Sequence, residues 1–458
     1  MKTAVILCAG QGRKMWPYGV TRNKAMLPVA NRPLLLWQMD ALTAVGVKKI
    51  VLAVDYRQEQ MRSLLDHDPR VAFVSAGGCN GTAPALLAAW STLEDHSLLV
   101  CYGDILFAAE DLQTLLRLHQ EGRRPATALL QPLGEEKPND WLCAQVSGDH
   151  IEQILGHPRD SVSHRFGGVF ALEKSMLPYL RANPGRMEAI QVGMMAPDEA
   201  HLEASLQIAL EADHEIGAAQ AGATLQDLDK PWHLLQANYV WGRHLLQSME
   251  KSTIADSAKI SKRAYINGHV TIGADSEIGD GVIIEGNVWI GKNSRVVQGA
   301  ILEKNVIIGD HCTVRRYAQV EEGSVIGDRC FIGHCAEVAG VLMRNVYAYH
   351  YGEYWGILGE ACDLGAATVC GNLRFDDGQT VHQVGGHRET PLLGANAAYL
   401  GDYVRTGVNA ILMPGVKVGP YSVIGAGALV NEQVPERTLV YVQQQHIRKT
   451  WGPERYGW

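Results

Sequence analysis

Residues 266–296, INGHVTIGADSEIGDGVIIEGNVWIGKNSRV, carry an aliphatic side chain at every sixth position: Ile266, Ile272, Ile278, Ile284, Ile290 and Val296. The series runs unbroken from Ile254 to Val338, and a glycine often follows, as at Gly273, Gly279, Gly291, Gly309, Gly327 and Gly333. A period of six with small residues at the turns describes a solenoid coil of three short strands, about 18 residues per turn. Each aliphatic points inward, and stacked coils bury one continuous column. At roughly 1.5–3 kcal/mol per buried Ile or Leu, that column holds a rod without a separate core. The phase then slips by two. It resumes at Val346, passes Leu358 and Leu364, and breaks for a polar excursion from about Asn372 to Ala398. It returns at Leu400, Leu412, Val418, Ile424 and Val430.

Upstream, strand and helix patterns alternate. Ala4–Cys8, Lys49–Val54, Val71–Ser75 and Ser97–Tyr102 read as strands; Pro33–Val45, Thr82–Leu93, Glu110–Glu121 and Pro231–Glu250 read as helices. The alternation predicts a doubly wound α/β domain with a mostly parallel sheet, whose ligands sit at the C-terminal strand ends. Expected domains are 1–245, 250–440 and a tail, 441–458, whose Trp451 and Trp458 cap the rod or meet another subunit.

The bulk composition narrows the function classes. A chain of 458 residues with a formal charge of −8 argues against a nucleic-acid partner. No apolar run is long enough for a membrane helix, and MKTAVILCAG reads as a buried first strand, not a leader. Nine cysteines without a CxxC pair point to reduced, mostly buried thiols and a cytoplasmic protein.

Two motifs fall where the sheet would present a site. After the first strand comes Cys8-Ala9-Gly10-Gln11-Gly12-Arg13-Lys14-Met15-Trp16-Pro17, a glycine turn that either cradles phosphates with backbone N–H groups or is simply tight. Downstream lies Arg22-Asn23-Lys24-Ala25-Met26-Leu27-Pro28-Val29. With Gly81-Thr82-Ala83-Pro84-Ala85-Leu86, Gly103-Asp104 and Gln226-Asp227-Leu228-Asp229-Lys230-Pro231, these pieces resemble, in order, the motifs of sugar-1-phosphate nucleotidyltransferases. The resemblance implies an NTP and a sugar 1-phosphate as substrates. It implies that Gly10, Gly12, Arg13, Lys14 and Lys24 meet the triphosphate and that Gly81 and Thr82 meet the base. Asp104 and Asp227 would hold Mg²⁺, whose hard charge suits carboxylate oxygens. The sugar side departs from the family. Leu142 stands where a sugar-contacting glycine is usual, and His157 replaces the phosphate-binding lysine, with Arg159 two residues on.

The rod resembles the left-handed β-helices of bifunctional enzymes that add a sugar-phosphate acetyltransferase. Leu364-Gly365-Ala366-Ala367-Thr368-Val369-Cys370-Gly371-Asn372-Leu373-Arg374-Phe375-Asp376 and Arg405-Thr406-Gly407-Val408-Asn409 carry that match. It implies acetyl-CoA as co-substrate, Asn372 orienting the donor, and a homotrimer. Two readings of His350 stand: a general base for a sugar amine, or a surface histidine among tyrosines. Ala339 replaces a family lysine, leaving Arg344 nearby. Three functions remain open: nucleotidyl transfer with or without acetyl transfer, acyl transfer alone, and a weakened nucleotide-sugar-binding scaffold.

Overall fold

The computed structural model describes residues 1–187 and 198–455. The first domain is built on nine strands: β1 (Thr3–Cys8), β2 (Lys49–Val54), β3 (Val71–Ser75), β4 (Ser97–Tyr102), β5 (Ala126–Pro132), β6 (Leu142–Ser147), β7 (His150–Gly156), β8 (His164–Glu173) and β9 (Ile216–Gln220). Their order is β3-β2-β1-β4-β8-β5-β9-β7-β6. The first four are parallel, as the alternation predicts. Beyond them β8 runs antiparallel to both β4 and β5, and β7 is antiparallel to its neighbours β9 and β6. The sheet is therefore mixed, because its far half returns by hairpins and long crossovers instead of one helix per strand.

Successive side chains of a strand face opposite ways, so β1 feeds two cores. Val5 and Leu7 pack with Trp90 and Phe170 on one face; Ala4, Ile6 and Cys8 pack with Leu42 and Phe107 on the other. Helices α1 (Leu34–Ala44), α2 (Gln58–Leu65), α3 (Thr82–Trp90), α4 (Ala109–Gly122), α5 (Leu177–Arg181) and α6 (Leu202–Glu211) complete the layers. Helix α7 (Pro231–Gln247) starts at a proline, whose fixed φ suits the first helical turn. It carries the chain to the second domain.

That domain is a left-handed parallel β-helix. Strand register pairs residues 18 apart along its first half, for example Ile272 with Ile290 and Ile290 with Ile308. The six-residue column from Ile272 to Val338 is buried throughout, while Ile254 is exposed and Ile260 and Ile266 are half-buried at the open first coils. Two corners of each coil adopt left-handed backbone. One column is Asp275, Asn293, His311 and Arg329, each 18 residues from the last. The other is Gly281, Gly299, Tyr317 and Cys335.

The phase slip has a local cause. Strand Glu337–Leu342 runs straight through the third corner at Gly340, φ 115°, so the inward step from Val338 to Leu342 is four residues. Strand Glu353–Leu358 repeats this at Gly356, φ 128°. The inward column therefore continues through Ala348, paired with Ile332 and Leu364, and the expected Val346 fills the adjoining corner instead. The polar excursion holds the hairpin His382–Val384 with His387–Glu389. Beyond Tyr441 the described tail is irregular up to a single 3-10 turn at Pro453–Arg455, and Trp451 is exposed; Trp458 lies outside the described residues.

The two domains share a core. Met15, Tyr18 and Leu27 from the glycine-loop region, Trp232, Leu235 and Trp241 from α7, and Ile307, Val341, Ile357 and Tyr399 from the rod form one buried cluster.

Candidate active site

The site grows from the C-terminal ends of β1 and β4. Gly103 sits where a Cβ would stand 2.7 Å from Cys8 Sγ and 2.9 Å from Leu7 O, so only glycine lets β4 end this close to β1. That places Asp104 beside the glycine turn. Gly12 takes left-handed backbone, φ 62°, and a Cβ there would meet Lys24 Cγ at 2.9 Å. Lys24 follows Asn23, whose Oδ1 accepts the Ala25 N–H and whose Nδ2 donates to Cys8 O and Tyr56 O. The lysine loop is thereby tied to the end of β1.

Asp227 arrives from far along the chain. Residues Gln226–Asp227 pair antiparallel with Ile105–Leu106, and Leu228 N–H donates to Asp104 O at 2.9 Å. The two expected metal carboxylates thus lie on adjoining segments. Burial pushes the Asp227 carboxyl up to about 7, and the charges of Asp104 and Asp229 push in the same direction. Lys24 Nζ donates to Asp104 Oδ2 at 3.0 Å and to Asp229 Oδ1 at 2.9 Å; Lys14 Nζ reaches Asp229 Oδ2 at 3.2 Å. Burial works against the Lys24 ammonium, but Asp229, Asp104 and Asp227 outweigh it and hold it protonated. Burial likewise opposes the Asp229 charge, and Lys24, Lys14 and Lys230 overcome it. The result is three carboxylates and two ammonium groups around one glycine turn.

The other expected residues take varied positions. Gly10 and Arg13 are exposed on the turn, and Arg13 Nε donates to Gln11 Oε1. Gly81, φ 119°, packs against Ala200, where a Cβ would clash with backbone at 2.5 Å. Thr82 Oγ1 accepts from Leu202 N–H at 2.8 Å and from Tyr102 OH at 3.3 Å, so it also ties α3 to α6. His157 Nδ1 lies 3.0 Å from Asn139 O, and its ring is held neutral by burial, with Lys14 adding to the effect. Arg159 is exposed nearby.

Beside this centre lies an aromatic and ionic cluster absent from the sequence reading. Arg165 stacks on Trp141 at 4.2 Å and pairs with Glu136 at 2.8 Å. His233 also stacks on Trp141, at 5.6 Å. Lys230, next to Asp229, pairs with Glu389 of the rod hairpin at 2.7 Å.

Comparison with known proteins agrees with this layout. Residues 3–195 match the nucleotidyl transferase family, 248–347 the GMPPB C-terminal domain, and 397–432 the bacterial transferase hexapeptide family. A bifunctional GlmU protein of Methanocaldococcus jannaschii is 28% identical over 448 residues, covering 97% of this chain and 98% of its own. A bifunctional sugar-1-phosphate nucleotidylyltransferase/acetyltransferase of Sulfurisphaera tokodaii is 26% identical over 438 residues, 94% of this chain and 98% of its own. A GlmU protein of Methanococcus maripaludis strain C7 reaches 32% identity over 454 residues, again 97% and 98%. The chain belongs to the bifunctional GlmU family. It is an enzyme with a nucleotidyltransferase domain and a hexapeptide-repeat domain, as the GlmU proteins are.

In this GlmU-family rod, His350 stands at a coil corner, stacked on His334 at 4.9 Å with Tyr351 edge-on at 5.2 Å. Asn372 Nδ2 donates to Glu353 Oε1 at 3.1 Å, three residues on from His350. Among the described residues no hydrogen bond or ring contact joins His350 to Asn372. Arg344 is paired with Glu360. The member of this charged cluster that sequence reading passed over is Asp229. It was visible as the second acid of Asp227-Leu228-Asp229, but its partners, Lys14 and Lys24, lie some two hundred positions away and only the fold brings them in.

Proposed function

We propose that the first domain joins an NTP and a sugar 1-phosphate, giving an NDP-sugar and pyrophosphate, with Mg²⁺ held by Asp104 and Asp227. The observation that carries this reading is the convergence of Asp104, Asp227, Lys14 and Lys24 on the turn at Gly10–Gly12. The residues suit the ion: two hard carboxylates adjoin, and Asp227 is pushed toward its neutral form first by burial and then by the repulsion of Asp104 and Asp229, which a divalent charge would relieve. When bound, the ion would offset charge gathered on the phosphates.

The chain's own groups do the rest. Gly10 and Gly12 leave backbone N–H groups open to the triphosphate, and Arg13, Lys14 and Lys24 neutralise it. Gly81 and Thr82 place the base at the start of α3. His157 and Arg159 approach the sugar phosphate. A sugar-phosphate oxygen attacks the α-phosphorus, the bond to the β-phosphate oxygen breaks, and pyrophosphate leaves. Catalysis of this kind rests on positioning and charge neutralisation.

The rod adds a second reading: acetyl transfer from acetyl-CoA to an amino-sugar phosphate, with His350 taking the amine proton and Asn372 orienting the donor, in a homotrimer. The stacking of His334 on His350, which fixes the imidazole at the coil corner, favours it. The test is incubation with Mg²⁺ and panels of NTPs and sugar 1-phosphates. Pyrophosphate release from a matched pair supports the reading. Ligand-induced melting shifts without turnover would replace it with a binding scaffold.

A further inference from the structure

Two carboxylates of the rod reach into the first domain, and each ends within two residues of a member of the charged cluster. Asp402 Oδ2 accepts from Thr21 Oγ1 at 2.5 Å and from Arg22 Nη2 at 2.7 Å; its Oδ1 accepts Glu360 N–H at 2.8 Å. Arg22 is also 3.5 Å from Glu360, and both Arg22 and Asp402 are buried. Lys24 is two residues on. The same loop is held by Tyr18 OH on Ile357 O at 2.9 Å and by Asn31 Nδ2 on Ile326 O at 2.6 Å. Glu389, from the hairpin in the polar excursion, takes the ammonium of buried Lys230 at 2.7 Å. Lys230 directly follows Asp229, the acid that Lys14 and Lys24 share, and is the N-cap residue of α7.

We propose that Asp402 and Glu389 are positioning residues for nucleotidyl transfer, so that the rod clamps the first domain's active site from two sides. The inference rests on the proposed nucleotidyltransferase reading. Asp402 fixes the Thr21–Arg22 segment that aims Lys24. Glu389 turns the Lys230 ammonium toward the rod, where Trp141 and Trp232 flank it at 5.7 and 6.0 Å. Without that partner the buried Lys230 ammonium would stand unpaired beside Asp229 and compete with Lys14 and Lys24 for it. Breaking a buried pair by removing one member leaves the other charge uncompensated, and here that charge adjoins the site of reaction.

The experiment compares full-length wild type, Asp402→Asn, Glu389→Gln and Lys230→Met with Glu389→Gln, using Glu277→Gln, an exposed rod residue paired with Arg295, as the surface control. Pyrophosphate release is measured over a range of NTP and Mg²⁺. The clamp predicts that kcat falls about tenfold to a hundredfold in each single variant, since small misplacements of catalytic groups cost this much. KM for the NTP should move by no more than about threefold. The double variant should lose no more than Glu389→Gln alone, because both act through one pair. Wild-type kcat in Glu389→Gln and Asp402→Asn, with folding confirmed by melting, overturns the clamp. Absence of turnover in wild type refutes the reaction instead. In that event the Mg²⁺–NTP melting shift decides the clamp: it should shrink in both single variants, and an undiminished shift rejects it.

Discussion

Replacing Lys24 by Met removes the cation that three carboxylates converge upon. Its ammonium lies 3.0 Å from Asp104 and 2.9 Å from Asp229, with the lysine side chain 15% exposed and the two acids 27% and 22%. Removing one partner of a fully buried pair costs about 3–5 kcal/mol; the partial exposure of these acids discounts that to about 2–3 kcal/mol. For a domain of this size each kcal/mol moves the melting temperature by about 2–4 °C, so the metal-free variant should melt about 5–10 °C lower. Two further effects separate this centre from an ordinary ion pair. Mg²⁺ should stabilise the variant more than wild type, because Lys24 no longer competes for Asp104. Turnover should fall by about 10²–10³, the usual loss when one preorganised charge facing a developing anion is removed. Calorimetry with and without Mg²⁺, paired with pyrophosphate release, reads both. A variant keeping turnover within about threefold of wild type, or one that gains nothing from Mg²⁺, would refute the assignment of Lys24.

Gly356→Ala should cost more than about 4 kcal/mol, since its φ of 128° and a Cβ 2.0 Å from Ala398 O leave no room at that corner; chemical denaturation followed by circular dichroism measures it. Acid should loosen the domain junction. Burial, assisted by the charge of Lys417, holds His382 down at about 4, and burial, assisted by Lys230, holds His233 at about 3. Both rings are neutral when folded but take a proton near pH 6.5 when unfolded, so their contribution is complete above pH 6.5 and is lost as pH falls. Each should withdraw up to about 2 kcal/mol between pH 6.5 and 5, and His382→Phe should flatten the pH dependence of melting in that window. His350→Ala should abolish CoA release from acetyl-CoA and an amino-sugar phosphate while leaving pyrophosphate release intact; unchanged CoA release removes His350 as the base.

The rod was legible in the sequence because its period is local: one inward aliphatic every six residues can be counted without knowing what lies opposite. The four-residue steps at Gly340 and Gly356 were not, since a missing corner loop shows in sequence only as a phase slip, and the slip alone does not say which side of it carries the inward residue. In the first domain the parallel half followed from strand–helix alternation. The antiparallel strand His164–Glu173 escaped because it is buried along its length and lacks a period. Lys24 and Asp104 could be singled out from motifs, and the structure brings them together. Asp229, Lys230 and Glu389 depended on contacts between segments remote in sequence, and no spacing rule encodes those.

The left-handed columns measure what length the third corner accepts. Across the polar excursion both columns jump by the same interval, from Ala361 to Tyr403 and from Ala367 to Asn409, 42 residues each, and the strands on either side still pair in register. The excursion enters at the third corner, between Cys370 and Ala398, and leaves the spool in frame, whereas one residue gained or lost inside a strand turns the side chains that follow it outward. Sequence drift in this architecture is therefore channelled to the rims, where a new loop can be tried against the neighbouring domain at no cost to the stack.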